Sequence, residues 1–153
     1  MTYSLDTSAF LDAWERNYPI DVFPSLWEQM DGFAKGGVLI SVEEVYQEMK
    51  KKADGVVRWA KNHRDIFLPL SPPIQSRLRE IMKAFPKVVD PRRSRSGADP
   101  ILVAAAMVQG SVVVTGEKGT GKKDKPRIPD VCGHFKVRCI PTLDMLRELK
   151  VKI

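Results

Sequence analysis

DPILVAAAMVQGSVVVTGE, Asp99 to Glu117, is the stretch on which the fold turns. Asp99-Pro100 opens a predicted helix over Ile101–Gln109, because Asp caps helices and Pro suits their first turn, and Gly110 closes it. Val112-Val113-Val114 follows as a strand without polar alternation, which predicts burial on both faces. Thr115-Gly116-Glu117 then leaves that strand at its carboxyl end.

Upstream, the same alternation of strand and helix repeats. Tyr3-Ser4-Leu5 reads as a short buried strand ended by Asp6-Thr7-Ser8, with a helix from about Ala9 to Arg16. Tyr18-Pro19 and Phe23-Pro24 interrupt, and Leu26, Trp27, Met30, Phe33 and Ala34 then recur at helical spacing until Gly36-Gly37. Val38-Leu39-Ile40 is the next strand, followed by a helix that Ser41 would cap and that carries Val42, Val45, Tyr46 and Met49. Val56, Val57, Trp59 and Ala60 mark another helix, Ile66-Phe67-Leu68 reads as extended, and Pro73 to Phe85 as helical. Lys87 to Ser96 and Gly116 to Pro129 are basic loops. A strand near Lys136–Ile140 and a helix over Thr142–Leu149 end the pattern. Strands alternating with helices predict a parallel sheet with helices on both faces.

At 153 residues the chain has the length of one domain, so residues 1–153 form one predicted unit. With 43% hydrophobic and 29% charged residues, disordered and fibrous classes drop out. The longest apolar run, Ile101–Val108, is far short of the roughly 20 residues of a membrane span, and Asp6 interrupts any signal-peptide core. The expectation is a cytoplasmic protein with no membrane partner. Cys132 and Cys139 are too few for a disulfide framework, so reduced thiols are expected. A net charge of +6 favours a polyanionic partner.

In sheets of this kind ligands bind beyond the carboxyl ends of the strands. Asp6 follows the first strand directly, Glu117 follows Val112–Val114, and Asp99 opens the helix leading into that strand. Glu48 lies on the helix after Ile40, at the border of its apolar stripe, whereas Glu44, the reserve ligand on that helix, is expected to point farther toward solvent. Four converging carboxylates repel one another unless a cation neutralises them, and hard oxygen ligands select Mg²⁺ or Mn²⁺. Arg92, Arg93 and Arg95 precede Asp99, while Lys118, Lys122 and Lys123 follow Glu117. An acidic centre with a cationic rim suits metal-assisted cleavage of a nucleic-acid backbone.

Leu5-Asp6-Thr7, the Val45-x-x-Glu48 helix, Asp99 followed by Ile101–Ala106, and Val113-Val114-Thr115-Gly116-Glu117 together resemble the PIN-domain family, which includes the VapC-type toxin ribonucleases. Tyr18-Pro19, Phe23-Pro24, Trp27 and Ile128-Pro129-Asp130-Val131-Cys132 resemble a little-characterised subgroup of it. The resemblance implies a three-layer α/β/α sandwich with a mostly parallel central sheet. It also implies an endoribonuclease using one or two Mg²⁺ or Mn²⁺ ions, the toxin of a toxin–antitoxin pair, with an antitoxin that occludes the site and a homodimeric state. Asp6, Glu48 and Asp99 match the metal-binding acids. Glu117 stands where most of the family has Asp, and Thr7 and Thr115 would orient ligands. The alternative is a catalytically inactive PIN-like module that binds RNA or protein through its basic rim.

Simpler roles stand beside these. Asp6 and Asp99 would serve as helix caps, and Glu48 would pair with Lys52 at i+4. The basic loops would be solvated surface. Gly116-x-x-x-x-Gly121-Lys122 fits the opening of a nucleotide-binding phosphate loop, but Lys123 replaces the required Ser/Thr and Pro126 and Pro129 interrupt the helix that should follow. Cys132, His134 and Cys139 lack a fourth zinc ligand. Trp14, Trp27 and Trp59 fit core packing better than base stacking.

Overall fold

A computed structural model describes residues 1–52, 55–89, 97–122 and 124–153. Five strands, β1 (Tyr3–Leu5), β2 (Leu39–Val42), β3 (Phe67–Leu68), β4 (Val112–Val114) and β5 (Cys139–Ile140), form one sheet in the order β3-β2-β1-β4-β5. Every pairing is parallel, with Leu5 opposite Val114 and Val114 opposite Ile140. All three residues of β1 and of β4 are buried. Since successive side chains point to opposite faces, both faces of these central strands are covered, as the unalternating valines predict.

The helices that cover the sheet are α1 (Thr7–Leu11), α2 (Pro24–Lys35), α3 (Glu43–Lys52), α4 (Gly55–Asn62), α5 (Pro72–Ala84), α6 (Ala98–Gln109), α7 (Ile128–His134) and α8 (Thr142–Glu148). Helix α6 is apolar around most of its circumference because it packs on α5 and also meets α3, α7, β1, β2 and β4. Leu102, Val103 and Ala104 are completely buried there. Gly110 ends it at φ 67°, the left-handed region where glycine carries no steric cost.

Several local expectations change. The helix expected over Ala9–Arg16 is α1 followed by a π-helical turn, Asp12–Asn17. Ser41 lies inside β2 rather than at a cap, and its hydroxyl donates to the Leu5 carbonyl at 2.7 Å across the β1–β2 pair. Asp99 is not the N-cap of α6 either: the helix starts two residues earlier than that cap would place it, after Gly97, which puts Asp99 in its first turn. The last strand shortens to Cys139–Ile140 because Lys136 sits at φ 57° and the Val137 N–H bonds the Cys132 carbonyl at 2.8 Å, tying this segment to the end of α7. Helix α7 itself has no counterpart in the sequence reading. Pro129 falls in its first turn, where a missing N–H costs nothing. No helix among the described residues is long and apolar enough to cross a membrane.

Candidate active site

The strand order changes direction between β1 and β4, and the crevice above such a switch point is where parallel sheets bind ligands. Asp6 and Thr115 leave these two strands side by side, with the Asp6 N–H donating to the Val114 carbonyl at 3.1 Å. The Asp6 side chain is held from three directions. Its Oδ1 accepts the Ala9 N–H at 2.7 Å, so it does cap α1; its Oδ2 accepts the Thr115 hydroxyl at 2.6 Å; and the Ser8 hydroxyl reaches both oxygens at 2.9 Å. Ser8 is held in turn by the Gly116 N–H at 2.9 Å. Asp6 is only 2% exposed and makes no ion pair among the described residues. Burial pushes its carboxyl up to about 7, against the pull of the Thr115, Ala9 and Ser8 hydrogen bonds and with a smaller push from Glu117.

Asp6 sits in a cleft of about 870 Å³. Glu48, Asp99 and Glu117 line the same cleft, so four acids from four distant segments face one space. Each is also engaged by the protein. The Glu48 carboxylate receives Lys52 Nζ at 3.2 Å, and Glu117 Oε2 receives the Ile128 N–H at 3.1 Å, at the start of α7. Among the described residues no three His, Cys, Asp or Glu side chains are gathered closely enough to hold one ion. Like charges that share a cleft repel one another unless a cation neutralises them.

The acidic lining extends to Asp12 and Glu15 on the π-helical turn, which the sequence reading did not single out. A Cβ at Gly116 would lie 2.4 Å from Asp12 Oδ2, so only glycine lets that carboxylate approach the β4 exit. Ser8 was likewise missed, although its place two residues after Asp6 was the available signal. Thr7 lines the cleft with its Oγ1 buried and without a partner among the described residues. Glu44, the other candidate on α3, does not line the cleft. Contrary to the solvent-facing expectation, its Oε2 is buried and has no hydrogen-bond partner among the described residues, and burial raises its carboxyl above the usual range.

The cationic rim is only partly described. Arg92, Arg93, Arg95 and Lys123 lie outside the described residues. Lys118 lines the cleft, joined by Lys125 and Arg127, whereas Lys122 faces a separate recess beside Phe85 and His134. The loop carrying these cations is organised by Asp130. Its carboxylate accepts the N–H groups of Arg127 at 2.8 Å and of Thr120 and Gly121 at 2.9 Å, and the Thr120 hydroxyl at 3.2 Å. Burial raises the Asp130 carboxyl, but these bonds outweigh it and hold it below the ordinary range. A Cβ at Gly119 would approach Asp130 Oδ1 to 2.8 Å, which explains that glycine. The amides that would cradle phosphate in a nucleotide-binding loop are thus already occupied by an internal carboxylate. Asp130→Ala is expected to leave the melting temperature within a few degrees while trypsin cuts after Lys118, Lys122 or Lys125 severalfold faster, because the exposed loop loses its anchor but the core does not. Unchanged digestion kinetics would show that the loop holds itself.

In chemistry, though not in their present spacing, the donors suit a hard divalent cation. They are carboxylate oxygens, a buried carboxylate without a counter-charge among the described residues, and a buried hydroxyl without a partner among them. No curated protein matches the chain. Among solved structures it is similar to a chain of VapBC2 from Rickettsia felis, crystallised with a DNA fragment from its promoter (13% identity, TM-score 0.53, covering 92% of this chain and 98% of that one). It is also similar to PAE2754 from Pyrobaculum aerophilum (17% identity, TM-score 0.52, covering 99% and 97%). The fold is accordingly a PIN-like α/β sandwich, here with an all-parallel sheet. The family model described as "Domain of unknown function (DUF4411)" matches residues 3–153, and the chain belongs to that family.

Proposed function

We propose that this protein is a metal-dependent endoribonuclease that hydrolyses RNA phosphodiester bonds, acting as the toxin of a toxin–antitoxin pair. The observation that carries the reading is Asp6: a buried carboxylate at the switch point, with no ion-pair partner among the described residues, sharing its cleft with Glu48, Asp99 and Glu117 and with Lys118, Lys125 and Arg127. Asp6, Glu48 and Asp99 would hold one or two Mg²⁺ or Mn²⁺ ions, with Glu117 completing the set. When bound, the cation supplies charge neutralisation and Lewis-acid polarisation at a phosphodiester. The chain's own groups do the rest. Ser8 and Thr115 fix the Asp6 carboxylate in one orientation, the Thr7 hydroxyl, without a partner among the described residues, offers a hydrogen bond to whatever enters beside Asp6, and Lys118, Lys125 and Arg127 would hold flanking phosphates. The fold shared with VapBC2 and the PIN-like motifs support an antitoxin that covers the cleft, and the resemblance supports a homodimer.

A second reading, a catalytically inactive module that binds RNA or protein, is favoured by one observation: Glu48 and Glu117 are engaged by Lys52 and Ile128 rather than gathered around Asp6. Cleavage separates the two. Purified protein incubated with mixed RNAs is expected to cut them with Mn²⁺ or Mg²⁺ and to stop with EDTA. Binding that persists in EDTA, with no cleavage under either metal, would establish the module instead.

A further inference from the structure

We propose that a recess on the far side of the π-helical turn is a nucleobase-binding site that takes a base together with its phosphate. The inference deepens the nuclease reading by giving its RNA strand a second point of attachment, although the binding itself does not depend on cleavage. The recess, of about 630 Å³, is lined by Trp14, Asp31, Lys35, Arg58, Trp59 and Asn62. Pockets that enclose small organic ligands are of roughly this size, about 300–1,000 Å³. The π-helical turn forms a wall common to both spaces: Asp12 and Glu15 face the Asp6 cleft, while Trp14 lines the recess. Such irregular turns are often retained where function needs them.

The aromatic side of the recess is packed on the core. Trp14 packs edge-on against buried Trp27 with ring centroids 4.6 Å apart, and Trp27 packs on Trp59 at 5.5 Å. Gly55 clears space for this arrangement, since a Cβ there would lie 2.5 Å from Trp14 Nε1. Trp14 is partly exposed and lines the recess while its ring packs on Trp27, and we assign its exposed part as the surface on which a base would stack. Stacking on a fixed aromatic ring is how proteins hold single-stranded bases without depending on duplex geometry.

The polar side supplies both phosphate attraction and base discrimination. Lys35 and Arg58 are exposed and make no ion pair among the described residues, so their charge is available to a phosphate. Asp31 Oδ1 accepts from Trp59 Nε1 and bonds His63 Nε2, each at 2.7 Å, which fixes the carboxylate. Its Oδ2 has no hydrogen bond among the described residues, and the side chain is 43% exposed. An ionised carboxylate only accepts, so it favours a base with an exocyclic amine over uracil, whose Watson–Crick edge flanks one N–H with two acceptor oxygens. A cation-binding pocket is disfavoured by Lys35 and Arg58. The combination of ring, acceptor and paired cations fits a nucleotide.

The test is equilibrium binding in EDTA, read by tryptophan fluorescence and anisotropy, with AMP, UMP, and labelled oligoadenylate and oligouridylate of about eight nucleotides. Oligoadenylate is expected to bind more tightly than oligouridylate. Trp14→Leu should weaken oligoadenylate binding roughly ten- to hundredfold, the range for loss of a base-stacking ring, and Trp14→Phe should retain most of it. Should Trp14→Leu fail to fold, Lys35→Ala with Arg58→Ala, both at exposed positions, carries the test: the slope of log affinity against log salt should flatten by about 0.7 for each phosphate no longer held. Asp31→Asn, which keeps one acceptor but turns the other oxygen into a donor, should shift preference from adenylate toward uridylate. The same sensitivities with AMP would identify a free nucleotide as the ligand, and with the oligomer alone an RNA strand. Absence of binding by all four probes, or folded variants that bind like wild type, would overturn the site, including in favour of a protein segment occupying it. Loss of the nuclease reading appears separately, as no cleavage with metal while this binding persists.

Discussion

Asp6→Asn is expected to abolish RNA cleavage while making the metal-free protein more heat-stable at pH 8. The first effect follows from removing the central anionic ligand at unchanged shape. Loss of an outer partner of a metal site typically costs 10- to 100-fold, and loss of a direct ligand should exceed that range. The second follows from the cost of burying a charge. The Asp6 carboxyl is raised to about 7 when folded, against about 3.9 in an unfolded chain. A folded state that binds the proton more tightly loses stability as pH rises between these values and regains none above them. At roughly 1.4 kcal/mol per pH unit the penalty reaches about 4 kcal/mol above pH 7, or on the order of 10 °C in melting temperature for a chain of this size.

Asparagine avoids that penalty while its carbonyl still accepts the Ala9 N–H and so keeps the cap of α1. Its amide would face the Thr115 and Ser8 hydroxyls, which can turn to accept. The melting gap between variant and wild type should therefore close toward pH 4 and open to its full size by pH 8. Millimolar Mg²⁺ should raise the wild-type melting temperature and leave the variant nearly unmoved, because a ligand that binds only the folded form stabilises it. Equal responses to Mg²⁺ in both proteins, or wild-type cleavage in the variant, would remove the Asp6 carboxylate from the metal site.

The parts of this fold that were legible from sequence are those written in hydrophobic burial. Val112–Val114 and Tyr3–Leu5 admit water on neither face, and that alone places them at the centre of a parallel sheet. What escaped depends on geometry that burial does not encode. A six-residue turn such as Asp12–Asn17 holds too few side chains for a periodic pattern to separate α from π. Ser41 looked like a cap because its partner, the Leu5 carbonyl, comes from another strand. Pro126 and Pro129 read as helix breakers, yet Pro129 helps begin α7. The site divides in the same way. The adjacency of Asp6 and Thr115 follows from two strands ending at one switch point. Ser8 and Asp130 work through backbone N–H groups of Gly116, Thr120, Gly121 and Arg127, which every sequence possesses and none advertises.

Glu117→Gln should cost roughly 10- to 100-fold in cleavage, the range for a group that acts on a metal directly or through an intermediary, while the protein melts like wild type. The prediction rests on the two tasks this residue performs. One Glu117 oxygen accepts the Ile128 N–H at 3.1 Å and so anchors the start of α7, and the side chain also lines the Asp6 cleft. Glutamine retains an acceptor for Ile128 and loses only the charge, so a purely structural Glu117 would make the change silent. Aspartate retains the charge but is one methylene shorter. It should keep more activity than glutamine yet loosen α7, seen as a small drop in melting temperature. Lys122→Ala should fall between them in activity, since Lys122 faces the recess beside His134 and would act only on distant phosphates. Kinetics across Mn²⁺ concentrations should show the glutamine variant needing more metal to reach half its maximal rate, a shift that neither α7 anchoring nor a phosphate-loop role predicts. Because Asp130 already occupies the Thr120 and Gly121 amides, ATP should not bind. Tight ATP binding lost in Lys122→Ala, together with an unchanged metal requirement in Glu117→Gln, would reverse the assignment of this loop.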